Sequence, residues 1–331
     1  MFIALGIIIC SISSPVVAGL TPTCTLSSSL LVPLPTQLIF QSSLFLENIA
    51  VRTSSDLLLT SVESSTLHNL NPFTVNGTLA PVHTFSNSTA ISGIAEYRPG
   101  VFAVVASVLN TTIRRAVPGS VVLWSVDFNQ AVAAVNKIGT LPDLTGANGL
   151  TSIPDAPDTL LAADSASGAV WQMNTRTGAS RLVIQDPSML PGAPAPALGI
   201  NGLHVHGGFL YFTNSQLGTF SRVPLKIESD EVSTEGPVQL LATTTGQSPD
   251  DFAIDTFGRA WTALHPGALD LVFPAANGTW STLDIVGNLL GNNSALNQPT
   301  SAAFGRGDLL QTQMLYVTTA AGQVVRVDTT C

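Results

Sequence analysis

Residues 201–223 read NGLHVHGGFLYFTNSQLGTFSRV, and residues 250–272 read DDFAIDTFGRAWTALHPGALDLV. Each opens on a polar residue, runs through a short apolar stretch to a Gly turn, then through a second stretch to another Gly turn and a third. Brief runs of Val, Phe, Tyr, Trp and Thr punctuated by Gly are strands joined by tight turns. The layout recurs from Glu47 (ENIAVRTSSDLLLTSVESSTLHNL), from Ser92 (SGIAEYRPGVFAVVAS, with an insertion before SVVLWSVD), from Asn148 and from Thr300. The six copies start 45 to 56 residues apart. That is close to the period of a four-stranded propeller blade, about 40–50 residues. A sandwich would not hold such a period through six copies. The expected fold is all-β, a six-bladed β-propeller.

Each copy shows three strands, and the fourth is expected in the variable stretch that follows, such as SRLVIQ after Ala179 or VQLLAT after Pro237. The sixth copy stops at Cys331 with no room for one. The segment from Cys24 to Phe40, ending TQLIF, is the expected donor of that outer strand, which would leave no bare edge in the ring. It would also bring Cys24 beside Cys331, and a disulfide between them would latch the two chain ends.

The composition agrees with this reading. Of 331 residues, 45% are hydrophobic and 10% charged, with 27 Gly and 21 Pro, which excludes disorder and disfavours long helices. Twelve Lys and Arg against 21 Asp and Glu leave a net charge of -9. There is no basic footprint for nucleic acid or an anionic membrane surface, and small apolar substrates are the expected partners.

Residues 1–18, MFIALGIIICSISSPVVA, read as a signal peptide cleaved before Gly19, too short in its apolar run to span a bilayer. Residues 19–331 then form a single domain. Five Asn-X-Ser/Thr sequons, at Asn76, Asn87, Asn110, Asn277 and Asn292, and two remaining cysteines point to the secretory lumen or the exterior.

In a propeller the first strand of every blade lines the central channel, so the six opening residues should gather on one rim. They are Glu47, Ser92, Asn148, Asn201, Asp250 and Thr300. Carboxylates and amide oxygens aimed at one axis suit a hard divalent cation, Ca²⁺ above others. Read singly, Asn148 and Asn201 are ordinary turn residues; a polar residue in all six copies is not explained that way. The turns between second and third strands should open on the same rim. They carry Glu63, Arg114 and Arg115, Asp164, Asn214 and His265. His265, Asp164 and Arg114 are the candidates to move a proton or hold an anionic oxygen, and Glu63 and Asn214 are candidates to touch substrate. His204 and His206, inside a first strand, are expected to pack between blades. No serine-hydrolase elbow, CxxC, HExxH, phosphate loop or dinucleotide fingerprint occurs, which disfavours hydride and phosphoryl chemistry, and no organic cofactor is expected.

The six-copy layout, the ENIAVR opening, the NGL strands and the PDDFAID segment followed by GRAW resemble the SMP-30/gluconolactonase/LRE-like superfamily of six-bladed propellers over nearly the whole chain after residue 18. The resemblance implies that Glu47, Asn201 and Asp250 hold a divalent metal and that Asn148 contacts substrate. Asp251 stands where that pattern has Gly, and a Pro-rich loop, PSMLPGAPAPALG, precedes Asn201. The leader, the terminal cysteines, the sequons and the ENIAVR and DDFAID wording are more similar to a secreted fungal branch. Its characterised members are hetero-Diels-Alderases of tropolone-sesquiterpenoid biosynthesis, of the xenovulene and eupenifeldin type. That branch implies a pericyclase joining a tropolone ortho-quinone methide to a humulene-type alkene. The wider superfamily implies a metal-dependent lactonase, and a secreted binding protein with a vestigial site is a third reading.

Overall fold

The computed structural model describes residues 33–75, 77–287 and 295–330. Apart from a two-stranded hairpin at Leu109–Asn110 and Arg115–Ala116, these form six antiparallel sheets arranged as a ring, in which the innermost strand of each sheet touches the innermost strands of the sheets on either side. The protein is an all-β six-bladed propeller. The innermost strands are, in blade order, Leu46–Val51, Ala90–Arg98, Ala147–Ile153, Ile200–His206, Ser248–Ile254 and Pro299–Phe304.

Burial falls from the axis outward. The second strand of blade 1, Leu57–Ser61, is buried at every position, as is nearly all of Phe209–Asn214 in blade 4. The outer strands Gln239–Thr243 and Thr36–Gln41 are mostly exposed. A strand sandwiched between neighbouring blades must be apolar on both faces, which is why LLLTS and FLYFT read as continuous runs rather than as alternation. The core is correspondingly divided into six hydrophobic clusters, each spanning one blade interface. Leu161 and Val170 of blade 3 meet Phe212 and Val223 of blade 4, for example, and Trp261 and Leu269 of blade 5 meet Leu315 and Val325 of blade 6.

The expected fourth strands are present as Ser180–Gln185 and Gln239–Thr243. In the sixth sheet, Thr36–Gln41 lies antiparallel to Gln323–Asp328 in the outermost position. Blade 4 carries a fifth strand not foreseen from the chain, Glu231–Thr234, folded back on the far half of Thr219–Glu228. It braces blade 3, where the Gln172 side chain donates to Asp230 O and accepts from Val232 N–H. The expected Cys24–Cys331 disulfide and the leader lie outside the described residues, as do Asn76 and Asn292. Asn87, Asn110 and Asn277 are exposed.

One irregularity repeats in all six blades. Pairing between first and second strands skips between Leu46 and Ile49, Ile91 and Ile94, Ala147 and Leu150, Ile200 and Leu203, Pro249 and Phe252, and Pro299 and Ser301. The skipped residues are Glu47-Asn48, Ser92-Gly93, Asn148-Gly149, Asn201-Gly202, Asp250-Asp251 and Thr300, so every opening residue sits in a bulge. A bulge releases a residue from the ladder and re-aims its side chain. Threonines one strand away take up the released backbone groups. Thr60 Oγ1 accepts from Asn48 N–H at 2.9 Å, and Thr213 Oγ1 accepts from Gly202 N–H at 3.0 Å while donating to Asp250 O at 2.6 Å.

In blades 2, 3 and 4 the second residue of the bulge is a glycine that faces the next blade at very close range. A Cβ on Gly93 would stand 2.4 Å from Asn148 O, and one on Gly202 would stand 2.2 Å from Asp251 Oδ1. Thr300 Oγ1, donating to Leu46 O at 2.7 Å, joins blade 6 to blade 1. Glycine at 93 and 202 is therefore a requirement of blade spacing.

Candidate functional site

Three carboxylates occupy the bulges of blades 1 and 5, within electrostatic reach of one another. Glu47, Asp250 and Asp251 are each less than a tenth exposed. Burial, together with the charges of Asp250 and Asp251, pushes the Glu47 carboxyl well above the ordinary carboxylate range. Burial also raises Asp250, against the opposing pull of His265 and Asn201, which donate to it. Carboxylates packed this closely and withdrawn from water need either protons or a cation to balance them.

His265 occupies the last position of a second strand, and four residues at that same position show how unusual it is. Ser61 Oγ accepts from Glu63 N–H, Thr319 Oγ1 from Gln323 N–H, Asp164 Oδ1 from Ala166 and Ser167 N–H, and Asn214 Oδ1 from Gln216 and Leu217 N–H. These side chains hold their own turns, the usual work of Ser, Thr, Asp and Asn there. His265 instead turns inward and places Nε2 3.0 Å from Asp250 Oδ2. With Nε2–H donating to the carboxylate, Nδ1 is the imidazole's remaining acceptor.

The other candidates divide. Asn201 lies beside the carboxylates and donates to Ser215 Oγ at 2.8 Å. Asn148 holds the equivalent bulge position one blade earlier. Asp164 is fully buried, and its second oxygen accepts from Thr145 N–H at 3.0 Å, so the whole carboxylate is engaged by backbone amides. Asn214, also fully buried, donates to Ser188 O and Leu190 O and so pins the start of the Pro-rich loop. Asp164 and Asn214 build the walls of the rim. Glu63 is exposed and accepts from Phe45 N–H. Arg114 and Arg115 are exposed at the tip of a small hairpin, Arg114 with a φ of 51°.

His204 packs edge-on against Phe252, ring centres 4.8 Å apart, as expected of a residue between blades, but its Nε2 also lies 3.0 Å from Asp251 Oδ1 in the channel. His206 packs edge-on against Tyr211. Asp251, Glu96 and Arg306 are channel residues that reading the chain did not single out as functional. The available signal was the Asp-Asp doublet at a bulge where the other blades with two skipped residues have Asn or Gly second.

The donors at the rim fit a hard cation. Asn148 Oδ1 and Asn201 Oδ1 are buried without a hydrogen-bond partner, and all the groups are oxygens. Among the described residues no three His, Cys, Asp or Glu side chains make a compact ligand group by themselves. A cation here would use Glu47 and Asp250 together with the amide oxygens of Asn201 and Asn148.

No protein-family model matches the chain. It is 27% identical over 313 residues, covering 87% of each chain, to a protein of Phoma sp named "Putative hetero-Diels-Alderase", and is its homologue. Among solved structures it resembles a luciferin-regenerating enzyme (TM-score 0.60, 16% identity, covering 89% of this chain and 95% of that one). It also resembles the calcium-binding protein regucalcin of Agrobacterium tumefaciens (TM-score 0.60, 16% identity, 90% and 95%) and the allergen Mala s 1 of Malassezia sympodialis (TM-score 0.64, 10% identity, 88% and 95%). At these identities the likeness establishes the fold.

Proposed function

We propose that this protein is a hetero-Diels-Alderase that couples a tropolone ortho-quinone methide with a humulene-type alkene. Homology with the Phoma protein over 87% of both chains carries the reading, and the rim supplies suitable groups. A hydroxymethyl tropolone loses water to give the quinone methide: the ring hydroxyl gives its proton to His265, and the departing hydroxide takes one from a rim carboxyl. Burial favours the protonated form of Glu47 that this requires. The four-atom heterodiene then meets the alkene, one C–C and one C–O bond form together, and a dihydropyran results. For this step the protein's task is to hold both reactants in one near-attack arrangement, and orientation alone can supply several kcal/mol of the barrier. No organic cofactor takes part.

The second reading is a divalent-cation lactone hydrolase, favoured by the unpartnered oxygens of Asn148 and Asn201. A cation at the rim would supply carbonyl polarisation and an acidified water. The two readings differ in what balances the carboxylates, protons in one and a metal in the other. Purified protein should raise the coupling rate, enrich one stereoisomer and keep both effects in excess chelator. An unchanged rate and isomer ratio, with cation-dependent hydrolysis of a simple lactone, would establish the hydrolase instead.

Under either reading the chain is proposed to be secreted after loss of residues 1–18 and glycosylated at exposed sequons such as Asn87, Asn110 and Asn277. The ring is proposed to close through the pairing of Thr36–Gln41, latched by a Cys24–Cys331 disulfide.

A further inference from the structure

The innermost strands continue past the bulges to the opposite mouth of the channel, where they enclose a separate cavity of about 280 Å³. Ile94, Leu150, Phe252, Ile254 and Phe304 give it apolar walls, and Ser152, His204, Asp251, Glu96 and Arg306 give it polar ones. Both carboxylates there are already engaged. Asp251 Oδ1 takes Phe252 N–H at 2.8 Å and His204 Nε2 at 3.0 Å, while Oδ2 takes Ser301 Oγ at 3.2 Å. Glu96 Oε1 takes Gly100 N–H at 2.8 Å, and Oε2 pairs with Arg306.

The charged capacity that remains is donating, the unused N–H groups of the Arg306 guanidinium, which carries five, beside the Ser152 and Thr151 hydroxyls and the second ring nitrogen of His204. A cavity whose carboxylates are engaged and whose guanidinium has N–H groups to spare recognises a ligand with a strong acceptor. The Glu96–Arg306 pair is neutral as a unit, and the Asp251 carboxylate is capped by the more exposed His204. A carboxylate reaching Arg306 gains charge-assisted, geometrically specific hydrogen bonds. The volume is below the usual range for drug-sized ligands, about 300–1,000 Å³, and matches a single ring with one acidic group.

We propose that this mouth is a second binding site, for a small monocarboxylate with an apolar or aromatic body held by Arg306. The assignment does not rest on the reaction proposed at the rim. Benzoate serves as the probe, titrated into the intact protein and followed by calorimetry and by NMR of the ligand, with benzyl alcohol as the same ring lacking the charge. Benzoate should bind saturably and at least tenfold more tightly than benzyl alcohol. Arg306→Gln should weaken it at least tenfold, and Arg306→Lys, which keeps the charge opposite Glu96, should restore part of the loss. Absence of saturable benzoate binding, or equal affinity in Arg306→Gln, would overturn the assignment. So would loss of binding in His265→Ala, because the ligand would then sit at the other mouth.

Discussion

Asp250 and Asp251 are consecutive in the chain, yet each carries its own histidine 3.0 Å away, His265 for Asp250 and His204 for Asp251, at opposite mouths of the channel. The bulge between Pro249 and Phe252 makes this possible, since two residues freed from the ladder need not alternate across a strand as their neighbours do. The rim group and the second cavity are therefore separated by little more than one peptide unit. Each can be altered without touching the other's histidine.

His265→Ala should slow formation of the quinone methide by about 10² or more, the ordinary worth of a positioned acid or base. Coupling of quinone methide generated independently should keep its isomer ratio. Stopped-flow absorbance for the first step and chiral chromatography for the second would distinguish them; equal losses in both would remove the proton-transfer role.

Asp270 gives a pH dependence unrelated to the channel. It is buried in blade 5 opposite Asp284, and burial, the hydrogen bond with Asp284 and its charge together raise its carboxyl from 3.8 to about 8. The folded chain holds this proton more tightly than the unfolded chain does. The group's contribution to stability is thus intact below about pH 4, falls as pH rises from there to about 8, and is level beyond. The slope is at most about 1.4 kcal/mol per pH unit. Asp270→Asn should flatten that part of a urea-denaturation profile and leave the variant the more stable of the two at pH 8.

Gly202→Ala should be destabilising by several kcal/mol, because the new Cβ would stand 2.2 Å from Asp251 Oδ1 and 2.6 Å from its Cα. Gly119→Ala meets nothing within 4 Å and should cost only the strain of its φ of 76°, about 1 kcal/mol. Thermal melts of the pair test whether blade spacing, rather than backbone freedom, requires glycine at 202. Comparable losses would reject that reading.

Ca²⁺ should raise the melting temperature if the rim oxygens hold it, and Glu47→Gln or Asp250→Asn should abolish the rise. A ligand at a hundred times its Kd stabilises by about 2.7 kcal/mol, a shift well within reach of calorimetry. A flat response in the parent protein would leave protons as what balances the carboxylates.

For the chain ends, peptide mapping of secreted protein without reductant should recover Cys24 and Cys331 as one linked pair. Removing both cysteines should cost several kcal/mol on the chain-entropy account of so long a loop. Recovery of two free thiols would refute the latch.

Blade number and strand order were legible in the chain because each blade repeats one layout, and because strands buried on both faces must read as unbroken apolar runs such as LLLTS. The opening residues were legible as a set, since one polar position in six copies has no explanation within a single turn. What spacing does not encode is the direction a side chain takes from a bulge or a turn. Asp164, Asn214 and His265 hold equivalent places, but short acceptors fold back on their own turn while an imidazole, lacking that reach and geometry, finds Asp250. Asp251 and His204 meet from different blades, across 47 residues of chain. The fifth strand of blade 4 rests on a turn at Ser229 and Asp230, both at positive φ, with no glycine there to mark it.

The six bulges also separate two kinds of evolutionary change. A residue inside the ladder answers for the pairing of its strand, so altering it disturbs the blade. The first residue of a bulge has its side chain released from the ladder, whereas Gly93 and Gly202 beside it, and Thr300 in blade 6, still set the spacing of neighbouring blades. Mutation can therefore rewrite the rim one blade at a time while the six interfaces between blades go on specifying the ring. Propellers bearing names as different as luciferin-regenerating enzyme, regucalcin and Mala s 1 superpose on this chain at 10% to 16% identity. Such persistence of one scaffold through divergent sequence is open to a fold in which the rim side chains lie outside the strand ladder.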